Sequence, residues 1–219
     1  MKDIAIFDID NTIIQGQSQA LFVQFLRKNG YMSFFYYISL MIWVIAYRLG
    51  LVSNPLRPMK YGLSFIRGKT INEADQILNK FFNTVMVKKI YPEVIKIINE
   101  HKKADRIIIL VSNVPDVLVK KLADYLKIEN YLSTVLEIKD GIYTGNIIGD
   151  IMYGEQKLNS IKMFVELHRL SFENSWGYGD HESDMFVLER VTHPYAVNPS
   201  KGLKVLSIRN NWPVLNFQI

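Results

Sequence analysis

Four short groups of residues have the side-chain types and spacing that chemistry needs. The first is Asp8-Ile9-Asp10-Asn11-Thr12, where two acids stand two residues apart. On a strand, residues i and i+2 project to one side, so both carboxylates would face one ligand. Two ionised acids that close repel each other unless a cation or a shared proton intervenes. A surface turn or a helix N-cap explains the same pair taken alone. The second group is Ser112-Asn113, followed by Pro115-Asp116. A hydroxyl beside free backbone N–H groups at the start of a helix can cradle an anion, and an ordinary N-cap is again the plain alternative. The third is Lys157, two residues after Glu155 in Gly154-Glu155-Gln156-Lys157. A lysine in the first turn of a helix opposes the helix dipole, which favours an anion there. The fourth is Gly179-Asp180-His181-Glu182-Ser183-Asp184. Hard carboxylate oxygens from Asp180 and Asp184 suit Mg²⁺, which takes one or two protein carboxylates and keeps waters or substrate oxygens. His181 reads as an exposed loop residue.

The elements that must position these groups follow from the hydrophobic pattern. Short β-branched and aromatic runs at Ile4–Ile9, Ile107–Val111, Trp176–Tyr178 and Tyr195–Val197 each end at polar residues. Helical periodicity falls at about 91–103, 116–126, 155–167, 183–190 and 200–207. Strands alternating with helices predict a doubly wound, Rossmann-like parallel sheet, an α/β fold. Such folds bind ligands outside the carboxyl ends of the strands, and all four groups sit there or at a helix start. Two segments break the alternation. Leu136–Tyr153 is alternating and punctuated by glycine, which predicts a hairpin beside the sheet. Residues 15–90 show no convincing strand, and several helical patterns are broken there by Gly30, Gly50, Pro55, Pro58 and Gly68. The expected division is a catalytic core of 1–14 and 91–219 with an all-helical insertion at 15–90.

Composition narrows the function further. The chain has 219 residues, is 49% apolar and has a net charge of +5. That apolar content supports a folded core and argues against intrinsic disorder. Without cysteine, thiol nucleophiles, disulfides and zinc–thiolate sites are excluded. Basic residues occur along the whole chain, and no basic stripe with interleaved aromatics points to nucleic acid. The opening MKDIAIFDID lacks the uninterrupted apolar core of an export signal, so a cytoplasmic location is expected. From Asn29 to Tyr47 there is no charged residue. A single membrane crossing there would put Asp8 and Asp180 on opposite sides of a bilayer, which one shared site forbids. The readings left for the 31–47 stretch are a buried helix, a homodimer contact, or peripheral membrane contact by an interfacial helix.

Together the four groups resemble the motifs of the haloacid dehalogenase superfamily, in particular its phosphoserine-phosphatase-like branch, subfamily IB. The Asp-x-Asp-x-Thr motif is matched by Asp8, Asp10 and Thr12, the small hydroxyl by Ser112, the lysine by Lys157, and Gly-Asp-x-x-x-Asp by residues 179–184. The insertion resembles the C1 cap of that branch. YPEVIKIINEHKK, LEIKDGIYTGNIIG, YAVNPSKGL and NNWPVLNF are also similar to sequences of the subfamily. The resemblance implies a Mg²⁺-dependent phosphatase. Asp8 is then the nucleophile and Asp10 the proton carrier. Ser112 and Lys157 hold phosphoryl oxygens. The metal lies at Asp8, the Asp10 carbonyl and Asp180, and Asp184 orients the metal's waters or Lys157. Thr12, Asn113 and Gln17 are the expected substrate contacts.

The substrate is less legible. Phosphoserine phosphatases carry a glutamate nine residues after the nucleophile, and here that position is Gln17, which pulls more weakly on an ammonium group. Arg57 and Arg67 are the arginines available for a substrate carboxylate. The expected substrate is a phosphorylated small molecule or a lipid phosphate. Alternatives are phosphoserine itself, or transfer of the phosphoryl group to an alcohol. A non-enzymatic phospho-switch is disfavoured by Asp10 and by the cap.

Overall fold

The computed structural model describes residues 2–48 and 65–219. Its organising element is β1 (Ile4–Phe7), four buried apolar residues in the middle of a seven-stranded sheet. Strands β2 (Ile107–Pro115) and β5 (Ser175–Gly179) flank it in parallel, with Phe7 opposite Leu110 on one side and Tyr178 on the other. The remaining strands are β3 (Asn130–Lys139), β4 (Ile142–Ile148), β6 (His193–Val197) and β7 (Val214–Leu215), giving the order β4-β3-β2-β1-β5-β6-β7. Among these described strands only the β3–β4 pair is antiparallel. After β1 the chain builds outward through β2, then returns to start the other half at β5. The carboxyl end of β1 is therefore the point where winding reverses, the usual ligand crevice of such sheets.

Alternation along β1 divides the core. Ala5 and Phe7 pack with Val94 and Ile98 of α4 (Pro92–Lys103) and Leu122 of α5 (Asp116–Leu126). Ile4 and Ile6 point the other way, onto Leu158, Ile161 and Val165 of α6 (Glu155–Leu167). Each such side chain stabilises the fold by roughly 1.5–3 kcal/mol when fully buried. These layers hold β1 from both faces, so the residues just after it have a rigid base.

The doubly wound fold is as expected, with three differences in detail. The 136–153 segment forms the expected hairpin, antiparallel β3 and β4 up to Ile148, but as part of the sheet: β3 begins at Asn130 and pairs in parallel with β2. Buried Ser133 and Thr134 interrupt its apolar pattern, which is why the sequence conceals it. Strand β2 continues past Ser112 to Pro115 through a register shift that leaves residues 113 and 114 without partners on β3. The 183–190 helix begins as a 3-10 turn, Glu182–Asp184, before the short α7 (Met185–Leu188).

Among its described residues the insertion between β1 and β2 carries helices joined by turns and no strand, only isolated bridges at Ile14–Ile90 and Thr70–Ile142. It comprises α1 (Ser18–Lys28), α2 (Phe34–Arg48) and α3 (Ile71–Phe81), then a π turn and a 3-10 turn reaching Lys89. Thr70 and Glu73 form a capping box that starts α3, satisfying two of its orphan N–H groups. The two stems of the insertion pair: Gln15 N–H donates to Lys89 (2.7 Å), and Tyr91 N–H to Ile13 (3.0 Å). A second attachment joins the segment before α3 to the β3–β4 turn, where Gly68 N–H donates to Tyr143 and Ile71 N–H to Gly141. Lys121 of α5 meets Asp75 of α3 at 2.5 Å. Gly50, Pro55, Arg57 and Pro58 lie outside the described residues.

Candidate active site

Asp8 follows β1 directly, and its N–H still donates to Tyr178 of β5 at 2.9 Å. The sheet thus fixes its backbone while its carboxylate leaves the strand end. Lys157 meets it there, with Nζ 2.5 Å from Asp8 Oδ1 and 2.6 Å from Asp184 Oδ1. All three residues are buried. Lys157 reaches this point because Gly154, with φ 58 and ψ −131, turns the chain into the first turn of α6, a backbone conformation that glycine alone adopts without strain. Burial alone would lower the Lys157 pKa, but Asp184 and Asp8 outweigh it and hold the ammonium charged.

Asp184 is held on its other oxygen. Asp184 Oδ2 accepts from the backbone N–H of Asp180 (3.2 Å) and of His181 (3.1 Å). This turn requires Gly179, because a Cβ there would come within 2.6 Å of Asp184 Cβ. Asp180 in turn accepts from Asn11 Nδ2 at 3.0 Å, and its carbonyl accepts from Ser200 N–H. His181 is exposed and bonds within its own loop, as expected.

Asp8, Asp180 and Asp184 each offer a carboxylate oxygen, and the three atoms lie within 4.8 Å of one another. One lysine faces three buried acids. Burial, with Asp184 and Asp180 adding to it, pushes the Asp8 carboxyl up, although Lys157 opposes the shift. Burial and then Asp184 push Asp180 up to about 7. Such an excess of hard oxygen donors over cationic charge suits a divalent cation.

Asp10 lies in the loop just past β1, within electrostatic reach of Lys157 and Asp180. The Asp10 carboxylate turns to the start of α1, accepting from Ser18 N–H (2.9 Å) and Ser18 Oγ (3.2 Å). Burial raises its pKa to about 6, while both bonds from Ser18 oppose the rise. The remaining expected residues divide by exposure. Ser112 is buried and its Oγ accepts from Val114 N–H, while Asn113 is half-buried on the irregular stretch of β2. Thr12 is enclosed and its hydroxyl has no hydrogen-bond partner among the described residues. Gln17 is exposed at the N-cap of α1 with no capping bond from its side chain. Arg67 is exposed at the surface, beside Gly145 of β4.

Three participants escaped the sequence reading. Asn11 links Asp180 to the Gly16 N–H, Ser18 holds Asp10, and Asn198 donates to the Asn11 carbonyl while accepting from Phe217 N–H. Asn11 and Asn198 both have positive φ. An Asn at a strand end carries that signal, whereas Ser18 shows none beyond its place at a helix start.

Residues 5–189 match the family of haloacid dehalogenase-like hydrolases. The chain belongs to that family and is a hydrolase. It is 25% identical to a phosphoserine phosphatase of Mycobacterium tuberculosis strain H37Rv, over 98% of this chain and 71% of that protein. It is 26% identical to a histidinol-phosphatase of Neisseria meningitidis serogroup C, over the full length of both. A solved structure of a protein of unknown function from Bordetella pertussis superposes with a TM-score of 0.90 at 23% identity, covering 98% of each chain. A phosphoserine phosphatase captured as a phospho-aspartyl intermediate analogue gives 0.69 at 15% identity, covering 98% of this chain and 93% of that one. These two likenesses concern the fold.

Proposed function

We propose that the chain is a Mg²⁺-dependent phosphomonoester hydrolase that works through an aspartyl-phosphate on Asp8. The observation that carries this reading is the buried Asp8 carboxylate at the reversal point of the sheet, clamped by Lys157 and grouped with Asp180 and Asp184. An Asp8 oxygen attacks phosphorus and the bond to the leaving alkoxide breaks, while Asp10 delivers a proton to that oxygen. Asp10, now ionised, takes a proton from water, whose oxygen attacks phosphorus and frees Asp8 and inorganic phosphate. A pKa of about 6 suits Asp10 to both tasks near neutral pH. Ser112 and Lys157 hold the phosphoryl oxygens.

The donor set fits magnesium through the Asp8 carboxylate, the Asp10 carbonyl and Asp180. When bound, the ion offsets the charge between phosphate and carboxylates. Asp184 is better read as a positioning residue, since both its oxygens are engaged by Lys157 and by backbone N–H groups. Residues 15–90 serve as the cap, and Gln17, one residue from the group that holds Asp10, faces the substrate. The two named relatives are named for different phosphomonoesters, so the leaving group is a matter for the cap. The test is phosphate release from phosphoamino acids, sugar phosphates, nucleotides and lipid phosphates, with Mg²⁺ and with EDTA. Release with Mg²⁺ that EDTA abolishes is expected, and silence across the panel would remove the hydrolase mechanism.

A further inference from the structure

Helix α2 turns its polarity inside out. Its inner side packs Tyr36 and Tyr37 against the hydrophobic core and buries Leu40. A surface helix normally carries charge on the opposite side. Here that side carries Phe34, Phe35, Ile38, Ile42 and Ile45, at spacings of one, three and four residues, and Phe35 is 85% exposed and Ile42 61%. No charged residue occurs between Lys28 and Arg48.

Cations rim this face. Arg27 and Lys28 close the last turn of α1, and the Arg27 guanidinium lies 5.5 Å over the Phe34 ring. Lys80, at the end of α3, lies 5.7 Å over the Tyr31 ring. The charge of the whole segment agrees. Residues 11–72 hold seven Lys and Arg and no Asp or Glu, whereas the rest of the chain holds 19 basic and 21 acidic residues. The net +5 therefore comes entirely from this segment, and the remainder is slightly acidic. The first acids beyond it are already engaged, Glu73 in the cap of α3 and Asp75 with Lys121.

We infer that this face of α2 docks on an anionic lipid surface. An apolar stripe with a cationic rim enters the boundary between headgroups and acyl chains while its basic residues meet lipid phosphates. The helix lies on the surface and does not cross it. At 15 residues it is ~22 Å long, and among the described residues no helix is long and apolar enough to span a membrane. A second copy of the chain fits less well, because a two-fold contact would press one acid-free basic segment against another. Helix α1 runs from Ser18, which holds Asp10, to Arg27 and Lys28 at this rim. Docking would therefore set the strand-end site about one helix length from the lipid phosphates.

The test is flotation of the full chain with vesicles of phosphatidylcholine, alone or with phosphatidylglycerol. Flotation is expected only with the anionic lipid. It should fall several-fold as salt rises from about 0.1 to about 1 M, where the screening length shrinks from about 10 to about 3 Å. Phe35→Glu with Ile42→Glu should reduce flotation at least tenfold, and Arg27→Gln with Lys28→Gln several-fold, which serves if the first variant is unstable. Circular dichroism and turnover of a soluble phosphomonoester should stay unchanged in both, which separates this inference from the hydrolase reading. Absence of flotation, equal flotation with neutral lipid, undiminished flotation of both variants, or self-association that the first variant abolishes would each overturn it.

Discussion

The strand-end acids and the outer face of α2 both break the usual partition of side chains, in opposite senses. At the site, charge is buried: Asp8, Asp10, Asp180 and Asp184 all lie inside. On α2, large apolar groups face water. The buried charges are answered within the molecule by Lys157, Ser18, Asn11 and two backbone N–H groups. The exposed apolar face is answered by nothing among the described residues. Groups whose partners are internal disclose a mechanism, because the geometry of those partners is its apparatus. A surface with no internal partner discloses only the chemistry of what should cover it.

The largest expected effect tests the site. Asp8→Asn should lower turnover by at least ~10³-fold, because it removes the attacking oxygen's charge and leaves the buried shape unchanged. Turnover near wild type would dissolve the contrast by taking the nucleophile away. Lys157→Ala should abolish most activity and also destabilise the fold by ~3 kcal/mol, since it strands two buried carboxylates. Thermal unfolding measures this, and Mg²⁺ should recover part of the loss by supplying the missing positive charge.

Smaller effects sharpen the boundary between the regions. Ser18→Ala should slow turnover by less than about tenfold, but it should move the pH profile. Both bonds from Ser18 hold the Asp10 pKa down against burial; alanine keeps the backbone N–H bond and loses only the Oγ bond, so the pKa rises above about 6 and the limbs that Asp10 governs shift modestly to higher pH. An unmoved profile would show that α1 is mere packing for the acid. Gln17→Glu should change the least: a few-fold gain in kcat/KM for amine-bearing phosphomonoesters over neutral ones, read by competition between them. No change in that ratio would place substrate choice elsewhere in the insertion.

The amino-acid pattern alone was enough for the scaffold: the β-branched runs and the helical periods between them predict the parallel α/β fold, and they put Asp8, Ser112, Lys157, Asp180 and Asp184 at strand ends and helix starts, because these are local features. Tertiary structure decided what depends on distant partners. It gave Asp10 its partner Ser18, engaged both oxygens of Asp184, and brought in Asn11 and Asn198. It also drew β3 into the main sheet despite its buried Ser133 and Thr134, since pairing with β2 outweighs a weak apolar pattern. For α2 the uncharged run favoured burial or a dimer contact and left lipid contact as the second reading. Only packing, which buries Leu40 and leaves Phe35 and Ile42 in water, assigned its two faces.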